Sequence, residues 1–250
     1  MIITPLKTKA FLPPKGDLFG LIDEGLSGRK LKEKSIFVVT SKVVAISQGR
    51  CIKIGSVEKD ELVKKEADLY LDREEVPNKY VMLTIKNNIL IPTAGIDESN
   101  GNGYYILWPS KPFDAAKQIQ KFLKSKFSLQ NLGVIITDSH TMPLRWGVTG
   151  IAVSYYGFNP LRDYRGSKDI FGREMKISQA NIADSMAAAA VLLMGEGNEQ
   201  TPMAIVEGTG FIEFIDTGAT KPNPLEIDKA MDIYSPLVNS VNWKKGRSGI

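Results

Sequence analysis

The chain has 250 residues, with 32 lysines and arginines against 28 aspartates and glutamates, so its net charge is only +4. This mild, scattered basic excess argues against a nucleic-acid partner and is compatible with an anionic small molecule. Cys51 is the one cysteine, which excludes an internal disulfide, and since no signal peptide or bilayer-length apolar run is found, the sequence predicts a cytoplasmic protein without a membrane partner.

The first half of the chain predicts short strands and a surface helix. Ser35–Thr40 is rich in β-branched and aromatic residues, which is typical of a buried strand. Lys59–Tyr70 is charged with spaced apolar residues and predicts a helix on the surface. Val81–Pro92 predicts two strands that are joined by a turn at Asn87 and Asn88.

The second half of the chain predicts two helices and three further strands. One helix is Phe113–Phe127, with its apolar residues on one face, and the other is Gln179–Met194, between an N-cap at Ser178 and a stop at Gly195. The predicted strands are Val134–Thr137, Gly150–Tyr156 and Met203–Val206. We therefore expect an α+β or mixed α/β fold without a clean linker, followed by a C-terminal tail over residues 217–250.

Three acidic residues share a similar sequence context. Asp97 and Asp138 each follow an apolar, strand-like stretch, and Glu196 follows the stop of the last predicted helix. If these carboxylates converge, their repulsion at about 4 Å costs several kcal/mol, and a divalent cation with a preference for oxygen ligands removes that cost. The alternative is that each acid caps a helix or turn separately.

Two further residues near Asp138 are candidates for chemistry. His140, the one histidine of the sequence, is a candidate metal ligand, substrate contact or acid–base group, and is otherwise an ordinary loop residue. Arg145 has the donor geometry to hold a phosphate or carboxylate, or else forms a structural salt bridge.

Three loops combine small or hydroxyl residues in a way that allows backbone amides to hold phosphate oxygens. They are Thr40–Lys42, Asp97–Asn100 and Gly195–Thr201. None matches the Walker A pattern or the dinucleotide-binding fingerprint. Any nucleotide is therefore held by a less common arrangement.

A series of motifs occurs in one order along most of the chain, over residues 8 to 210: TSKVV, AGIDESN, VIITDSHTMPLRWG, RGSKDIFG, LLMGEG and TPMAIVEG. Together they resemble the coenzyme F-420-0 gamma-glutamyl ligase family. The resemblance implies an α+β fold in which residues 1–250 form one unit of two interleaved α/β subdomains. It also implies an enzyme that joins L-glutamate to a carboxylate of a deazaflavin coenzyme precursor.

The resemblance further implies a homodimer that uses GTP or ATP with two divalent ions, Mg²⁺ or Mn²⁺, and K⁺ is a further candidate ion. The implied metal ligands are Asp97, Asp138, Ser139 and Glu196, where Ser139 stands in place of the threonine usual in the family. The implied nucleotide contacts are Phe11, Leu12, Pro13, Ser41, Lys42, Asn100, Met194, Gly195, Gly197, Asn198 and Thr201. The predicted catalytic residues are Asp138, His140, Arg145 and Lys42.

The chain departs from the family pattern near the expected site. Ile46 stands where the family often has a lysine, Glu207 stands where an arginine is common, and Asp138–Pro143 replaces the usual D-T-x-G-R-P. These departures keep alternatives open. They are a folate gamma-glutamate ligase on the same scaffold, a nucleotide-binding regulator without ligase activity, and a metal-dependent phosphohydrolase.

Overall fold

The computed structural model describes residues 1–218 and 223–247, with the side chains of residues 216–218 excepted. In this part of the chain the α-helices are α1 (Leu18–Gly25), α2 (Ser41–Ser47), α3 (Lys59–Glu66), α4 (Pro112–Phe127), α5 (Ile182–Met194) and α6 (Ser235–Val238). The strands are β1 (Ile2–Leu6), β2 (Ser35–Thr40), β3 (Cys51–Lys53), β4 (Leu69–Tyr70), β5 (Leu83–Lys86), β6 (Ile89–Pro92), β7 (Tyr104–Ile106), β8 (Leu132–Thr141), β9 (Val148–Phe158), β10 (Leu161–Asp163), β11 (Gln179–Asn181), β12 (Met203–Glu207), β13 (Phe214–Gly218) and β14 (Lys244–Lys245). Short 3-10 helices are Arg73–Glu75, Pro77–Lys79 and Thr93–Gly95. The mixture confirms the predicted α+β class.

The largest sheet among the described residues has the strand order β1-β12-β2-β8-β9-β13. Its strands β2 and β8 are parallel, and its other neighbours are antiparallel. Side chains of β2 alternate between two cores: Phe37 and Val39 pack with α1, α2 and α4, whereas Ile36 and Val38 pack with α5. Helices thus cover both faces of the sheet, which is why β2 reads as an unbroken apolar run.

A smaller lobe is built on the sheet β14-β4-β5-β6. Its core includes Leu62 and Val63 of α3, Met82, and Leu107 after β7. The sheet is completed from far along the chain, because Lys244 and Lys245 of β14 pair with β4. Part of the predicted C-terminal tail is therefore a strand of this lobe, whereas residues 219–222 and 248–250 lie outside the described residues.

Several predicted elements are confirmed, with boundaries at or near the predicted residues. Ser35–Thr40 is β2, and the helix predicted at Phe113–Phe127 is α4, which begins one residue earlier. The predicted hairpin is β5 and β6, which pair in antiparallel register. At its turn, Asn87 and Asn88 have φ of 48° and 61°. Two successive left-handed residues are the conformation that a two-residue hairpin requires, and asparagine adopts it at low cost.

Two predicted helix boundaries are wrong. The helix predicted at Lys59–Tyr70 ends at Glu66, because the chain then becomes β4 and pairs with β5. The helix predicted from Gln179 with Ser178 as N-cap begins at Ile182. Its N-cap is Asn181, whose side-chain oxygen accepts the Asp184 backbone N–H at 3.0 Å. The preceding residues form β11 with β10, so strand pairing overrides the local helical pattern.

Strands β8 and β9 form a long antiparallel hairpin, and both extend beyond the predicted strands Val134–Thr137 and Gly150–Tyr156. Strand β8 continues to Thr141, so Asp138 lies inside the strand and not at its end. Beyond it, Leu144 and Trp146 project from the loop and are fully exposed. Over residues 1–218 and 223–247, no helix combines the length and the apolar character that crossing a membrane demands.

Candidate functional site

The end of β2 and the middle of β8 bring the first pair of predicted site residues together. These strands run parallel, with Thr40 opposite Thr137, so the residues that follow each partner, Ser41 and Asp138, are neighbours. The buried Ser41 hydroxyl donates to Asp138 Oδ2 at 3.0 Å. The contact follows directly from the sheet register.

The first turn of α2 also reaches the loop that carries Asp97. Lys42 Nζ lies 2.7 Å from Asp97 Oδ2. The same ammonium donates to the Ser99 carbonyl at 2.9 Å. The Ser99 backbone N–H and hydroxyl in turn donate to Asp97 Oδ1 at 2.7 and 2.8 Å. Asp97 is thus held between a lysine and the turn that follows it.

The third acid reaches the site from the end of α5. Gly195, with φ of 82°, ends the helix in a conformation that favours glycine and turns the chain toward β8. The Ser139 hydroxyl then contacts Glu196 Oε1 at 2.6 Å and Oε2 at 2.8 Å. Because Ser139 follows Asp138, this contact brings Glu196 next to the other acids.

A last hydrogen bond closes these contacts into a circuit: the Asn100 side-chain amide donates to the Gly197 carbonyl at 2.9 Å. We call the closed path the contact ring. Its members are Ser41, Lys42, Asp97, Asn100, Gly197, Glu196, Ser139 and Asp138. All eight were candidates in the sequence analysis, and four separate segments supply them. The roles assigned to them there stay predictions.

The electrostatic environment differs between the two aspartates. Burial raises the pKa of Asp138 to about 6, against the lowering effect of hydrogen bonds from Ser139, Trp108 and Ser41, and the negative charge of Asp97 adds to the rise. Burial acts in the same direction on Asp97, but the charge of Lys42 and the bonds from Ser99 outweigh it and lower the pKa of Asp97. The lysine thus stabilises one carboxylate, while the other lies in a site short of positive charge.

One residue of the site was missed by the sequence analysis. The buried Trp108 donates its indole N–H to Asp138 Oδ2. Its ring lies against Gly95, where a Cβ atom would come within 2.1 Å of the indole nitrogen. Nothing in the stretch YYILWPS distinguishes this tryptophan from an ordinary core residue, and it does pack in the core of the large sheet. Its contact with Asp138 becomes visible only in the folded chain.

The acidic side chains do not form a ready-made metal cluster. In the part of the chain that the structure describes, no group of three or more His, Cys, Asp or Glu side chains is placed to hold an ion. Asp97 is turned to Lys42 and Ser99, and Glu196 is turned to Ser139. The carboxylate and hydroxyl oxygens brought together here nevertheless suit Mg²⁺ or Mn²⁺ in kind. The residues therefore fit a hard divalent ion if those side chains leave their present partners.

The predicted nucleotide contacts lie in two places. Phe11 packs beside the buried Ile46, Pro13 is buried, and Leu12 is exposed. The loop after α5 holds itself together, because the Thr201 hydroxyl donates to the Met194 carbonyl. Its Gly197 N–H donates to Glu199 Oε2 at 2.8 Å, and Asn198 is exposed. A carboxylate already bound to a backbone N–H of this loop is consistent with a loop that binds anions.

The remaining predicted catalytic residues are less closely tied to the contact ring. His140 lies in β8, opposite Thr149. Burial lowers its pKa, and the charged neighbour that opposes this effect is Asp184 of α5. Arg145 lies in the exposed loop between β8 and β9, where its backbone N–H donates to the Met142 carbonyl. The described structure thus does not bring Arg145 to the contact ring.

The two departures from the family pattern have different positions. Ile46 lies in α2 and is buried beside Phe11, so an apolar contact replaces a charge next to the predicted nucleotide loop. Glu207 is the last residue of β12 and lies near the start of β2, whereas Met203 at the other end of β12 lies opposite Val39, close to Ser41. Four residues of extended strand place Glu207 roughly 13 Å from the end of β12 that is near the site. It pairs with Lys32 at 3.0 Å. The expectation that Glu207 lies near the site is therefore wrong.

Comparison with known proteins agrees with the motifs. The family model described as F420-0:Gamma-glutamyl ligase matches residues 10–208. Several relatives bear the name coenzyme F420:L-glutamate ligase. The protein of Methanopyrus kandleri is 31% identical over 82% of this chain and 86% of its own length. Those of Methanosarcina mazei and Methanocaldococcus jannaschii are 32% and 31% identical, over 86% and 85% of this chain and 89% of each relative. With matches of this extent, the chain belongs to the F-420-0 gamma-glutamyl ligase family.

Proposed function

We propose that this protein is a nucleotide- and metal-dependent gamma-glutamyl ligase that adds L-glutamate to a carboxylate of a deazaflavin coenzyme. The observation that carries the proposal is the contact ring, in which four separate segments bring three carboxylates, a lysine and two small loops to one place. A structural role alone does not require three acids at one site, because their mutual repulsion is unfavourable.

Different segments of the site would bind different parts of a nucleoside triphosphate. The ammonium of Lys42 and the hydroxyl of Ser41 lie at the start of α2, where backbone N–H groups also favour an anion. Across the site, the Met194–Thr201 loop offers further backbone N–H groups. Phe11 and its neighbours would contact the nucleoside. GTP and ATP are both compatible with this arrangement.

Asp97, Asp138, Ser139 and Glu196 would hold one or two Mg²⁺ or Mn²⁺ ions, which neutralise phosphate charge when bound. Lys42 lies against Asp97, so it is placed to exchange that carboxylate for a phosphate oxygen. Such fixed charges are worth most where charge develops during phosphoryl transfer.

The proposed chemistry has two steps, because a carboxylate is a poor electrophile. First, an oxygen of the acceptor carboxylate attacks the γ-phosphorus, and the nucleoside diphosphate leaves. Second, the amine of glutamate attacks the carbonyl carbon of the acyl phosphate, and the C–O bond to phosphate breaks. The amine gives up a proton, which His140 or a carboxylate of the site would accept.

We also propose that the protein is a homodimer, as the resemblance implies. Two surface segments of the single chain support this. The loop between β8 and β9 exposes Leu144 and Trp146, and the segment between β10 and β11 exposes Ile170, Phe171 and Ile177. Apolar side chains grouped in this way are typical of an interface that a second copy covers.

Incubation of the purified protein with glutamate, Mg²⁺ or Mn²⁺, and GTP or ATP tests the proposal. Parallel reactions contain a deazaflavin acceptor or a folate, and products are identified by mass. We expect a product with one added glutamate from the deazaflavin acceptor, together with one phosphate per bond. Asp138→Asn, which keeps the shape of the side chain, is expected to abolish turnover while the circular-dichroism spectrum stays unchanged.

The other outcomes point elsewhere. Product from the folate alone would replace the proposed acceptor while keeping the ligase chemistry. Phosphate release that needs no glutamate would indicate a phosphohydrolase. Nucleotide binding without product from either acceptor, or near-normal ligation by Asp138→Asn, would contradict the proposal.

A further inference from the structure

We propose that Trp108 is a positioning residue that fixes the Asp138 carboxylate in the orientation that receives a divalent cation. This inference rests on the proposed function, because it assigns a task to Asp138. The observation behind it is a direct hydrogen bond from the indole N–H to Asp138 Oδ2.

The number of hydrogen bonds on each oxygen of Asp138 determines which one is open to a ligand. Oδ2 accepts from both Trp108 and the Ser41 hydroxyl. Oδ1 accepts the backbone N–H of Ser139 at 2.8 Å. A carboxylate oxygen offers two lone-pair positions. The two donors occupy both positions of Oδ2, whereas the single donor to Oδ1 leaves one of its positions open. With Trp108 in place, Oδ1 is therefore the oxygen that can bind a cation.

The indole packs in the core of the large sheet, and its backbone is tied to the small lobe. Trp108 is 1% exposed, and a buried indole N–H needs an acceptor because it has no water to donate to. Its backbone carbonyl accepts from Arg50 Nε at 3.0 Å. Arg50 is anchored in turn by Glu66 at 2.6 Å, and Glu66 also pairs with Lys86 at 2.7 Å. The segment that carries the indole is thus connected to buried ion pairs of the small lobe.

The same tryptophan also connects two of the acids. Its ring occupies the space over Gly95, which lies two residues before Asp97 in the chain. The residue therefore packs against the segment that carries one acid while donating to the other. The loss of Trp108 is therefore expected to loosen both Asp138 and the segment that carries Asp97.

Outer groups that hydrogen-bond to metal ligands commonly change metal affinity or activity by roughly 10–100-fold when they are removed. The sharpest removal here replaces Trp108 with 3-benzothienylalanine, in which sulfur takes the place of the N–H and the ring shape is kept. We expect Mn²⁺ to bind at least about 10-fold more weakly to this variant. Free Mn²⁺ measured by electron paramagnetic resonance gives the affinity without any catalytic assay.

The chain offers a matched control in Trp243. Its indole N–H donates to the Val238 carbonyl at 2.6 Å, among the C-terminal residues. The same replacement there removes an indole hydrogen bond outside the contact ring, and we expect unchanged Mn²⁺ affinity. Trp108→Phe serves as a second variant, with the same direction of change expected, and thermal unfolding shows whether each variant is folded.

A measurement on the unmodified protein keeps the test decisive even if the variants fold poorly. We expect the indole N–H resonance of Trp108, observed in ¹⁵N-tryptophan-labelled protein, to shift on addition of Mg²⁺. A resonance insensitive to Mg²⁺ would overturn the inference, as would equal Mn²⁺ affinity of the folded Trp108 variants and the unmodified protein. If the unmodified protein binds no Mn²⁺, both this inference and the metal dependence of the proposed function fail. If it binds Mn²⁺ and the Trp108 variants bind it equally well, only this inference fails.

Discussion

The hydroxyl of Ser139 contacts both carboxylate oxygens of Glu196, at 2.6 and 2.8 Å, and joins the end of α5 to the middle of β8. Ser139→Ala removes this contact and leaves Glu196, which is exposed, without its partner on β8. We expect about a 10-fold fall in the ligation rate, because a hydrogen bond to a charged group contributes about 1.5 kcal/mol. Steady-state kinetics measures the change. Ser139→Thr restores a hydroxyl and is expected to retain activity, so an equally inactive threonine variant would contradict this role.

Removing the charge of Lys42 is expected to affect Mn²⁺ affinity and the ligation rate differently. Its ammonium competes with any cation for Asp97, so Lys42→Met is expected to bind Mn²⁺ as tightly as the unmodified protein or more tightly. The ligation rate is expected to fall about 100-fold, because a fixed charge at the transferring phosphate is lost. Lys59→Met is the control, since Lys59 pairs with the neighbouring Glu98 at 3.2 Å. Weaker Mn²⁺ binding by Lys42→Met would exclude competition.

Gly95 and Gly103 separate backbone strain from side-chain crowding. Both have positive φ, at 71° and 84°. A Cβ atom at Gly95 meets Trp108 at 2.1 Å, whereas one at Gly103 meets nothing within 4 Å. Both alanine variants lose about 1 kcal/mol through the backbone, and Gly95→Ala is expected to lose a further 1–3 kcal/mol, roughly, through overpacking. Urea unfolding gives both values, and equal losses would show that the indole yields freely.

The ion pairs of Glu66 predict a pH dependence of stability. Burial acts to raise the pKa of Glu66, but Lys86 and Arg50 outweigh it, so the pKa lies below its ordinary value of 4.5. The carboxylate therefore contributes stability that is present above pH 4.5 and is lost as the pH falls through the lower folded-state pKa. Burial also lowers the pKa of Lys86, against the opposing effect of the hydrogen bond and charge of Glu66.

We expect Glu66→Gln to lower the free energy of unfolding by about 3 kcal/mol at neutral pH, because it leaves Lys86 buried without this carboxylate. Urea unfolding at neutral and acid pH measures the effect, and the difference from the unmodified protein should shrink in acid. Glu61→Gln is the control, because Glu61 pairs with Lys64 on the surface. A difference that stays constant with pH would argue against the linkage.

The proposed dimer predicts that the β8–β9 loop is part of an interface. Trp146 is fully exposed in the single chain, and a tryptophan buried at an interface commonly contributes 2 kcal/mol or more. Trp146→Glu is therefore expected to weaken dimerisation by about 30-fold or more. Sedimentation velocity over a concentration series measures it. Tyr80→Glu, at an exposed site in the small lobe, is the control, and a dimer unaffected by Trp146→Glu would place the interface elsewhere.

The parts of the fold that were predictable from sequence are those set by local pattern. β2 is buried on both faces and therefore carries an unbroken apolar signal, and the Asn87–Asn88 turn carries its own conformational preference. The start of α5 was not predictable in this way. Gln179–Asn181 has a helix-compatible composition, but it pairs with β10, which is more than ten residues away in the chain.

The candidate site divides in the same manner. Seven residues of the contact ring were candidates from their local sequence context, as acids after apolar stretches or as members of loops suited to anions. The family resemblance added Ser139 and suggested roles for all eight, and the structure brings them together. Trp108 had no comparable signal, because its hydrogen bond to Asp138 joins residues that are 30 positions apart in the chain and meet only in the folded core. Ile46 shows the converse: its position was identified from the pattern, but only the structure shows that it packs beside Phe11.

The pairing of β14 with β4 has a consequence for synthesis on the ribosome. Strand β4 is made early, yet its outer neighbour, Lys244–Lys245, is the last of the described strands to be made. Until then β4, which is two residues long, remains an open edge of this sheet. The small lobe is therefore expected to reach its final form only after translation has passed residue 245.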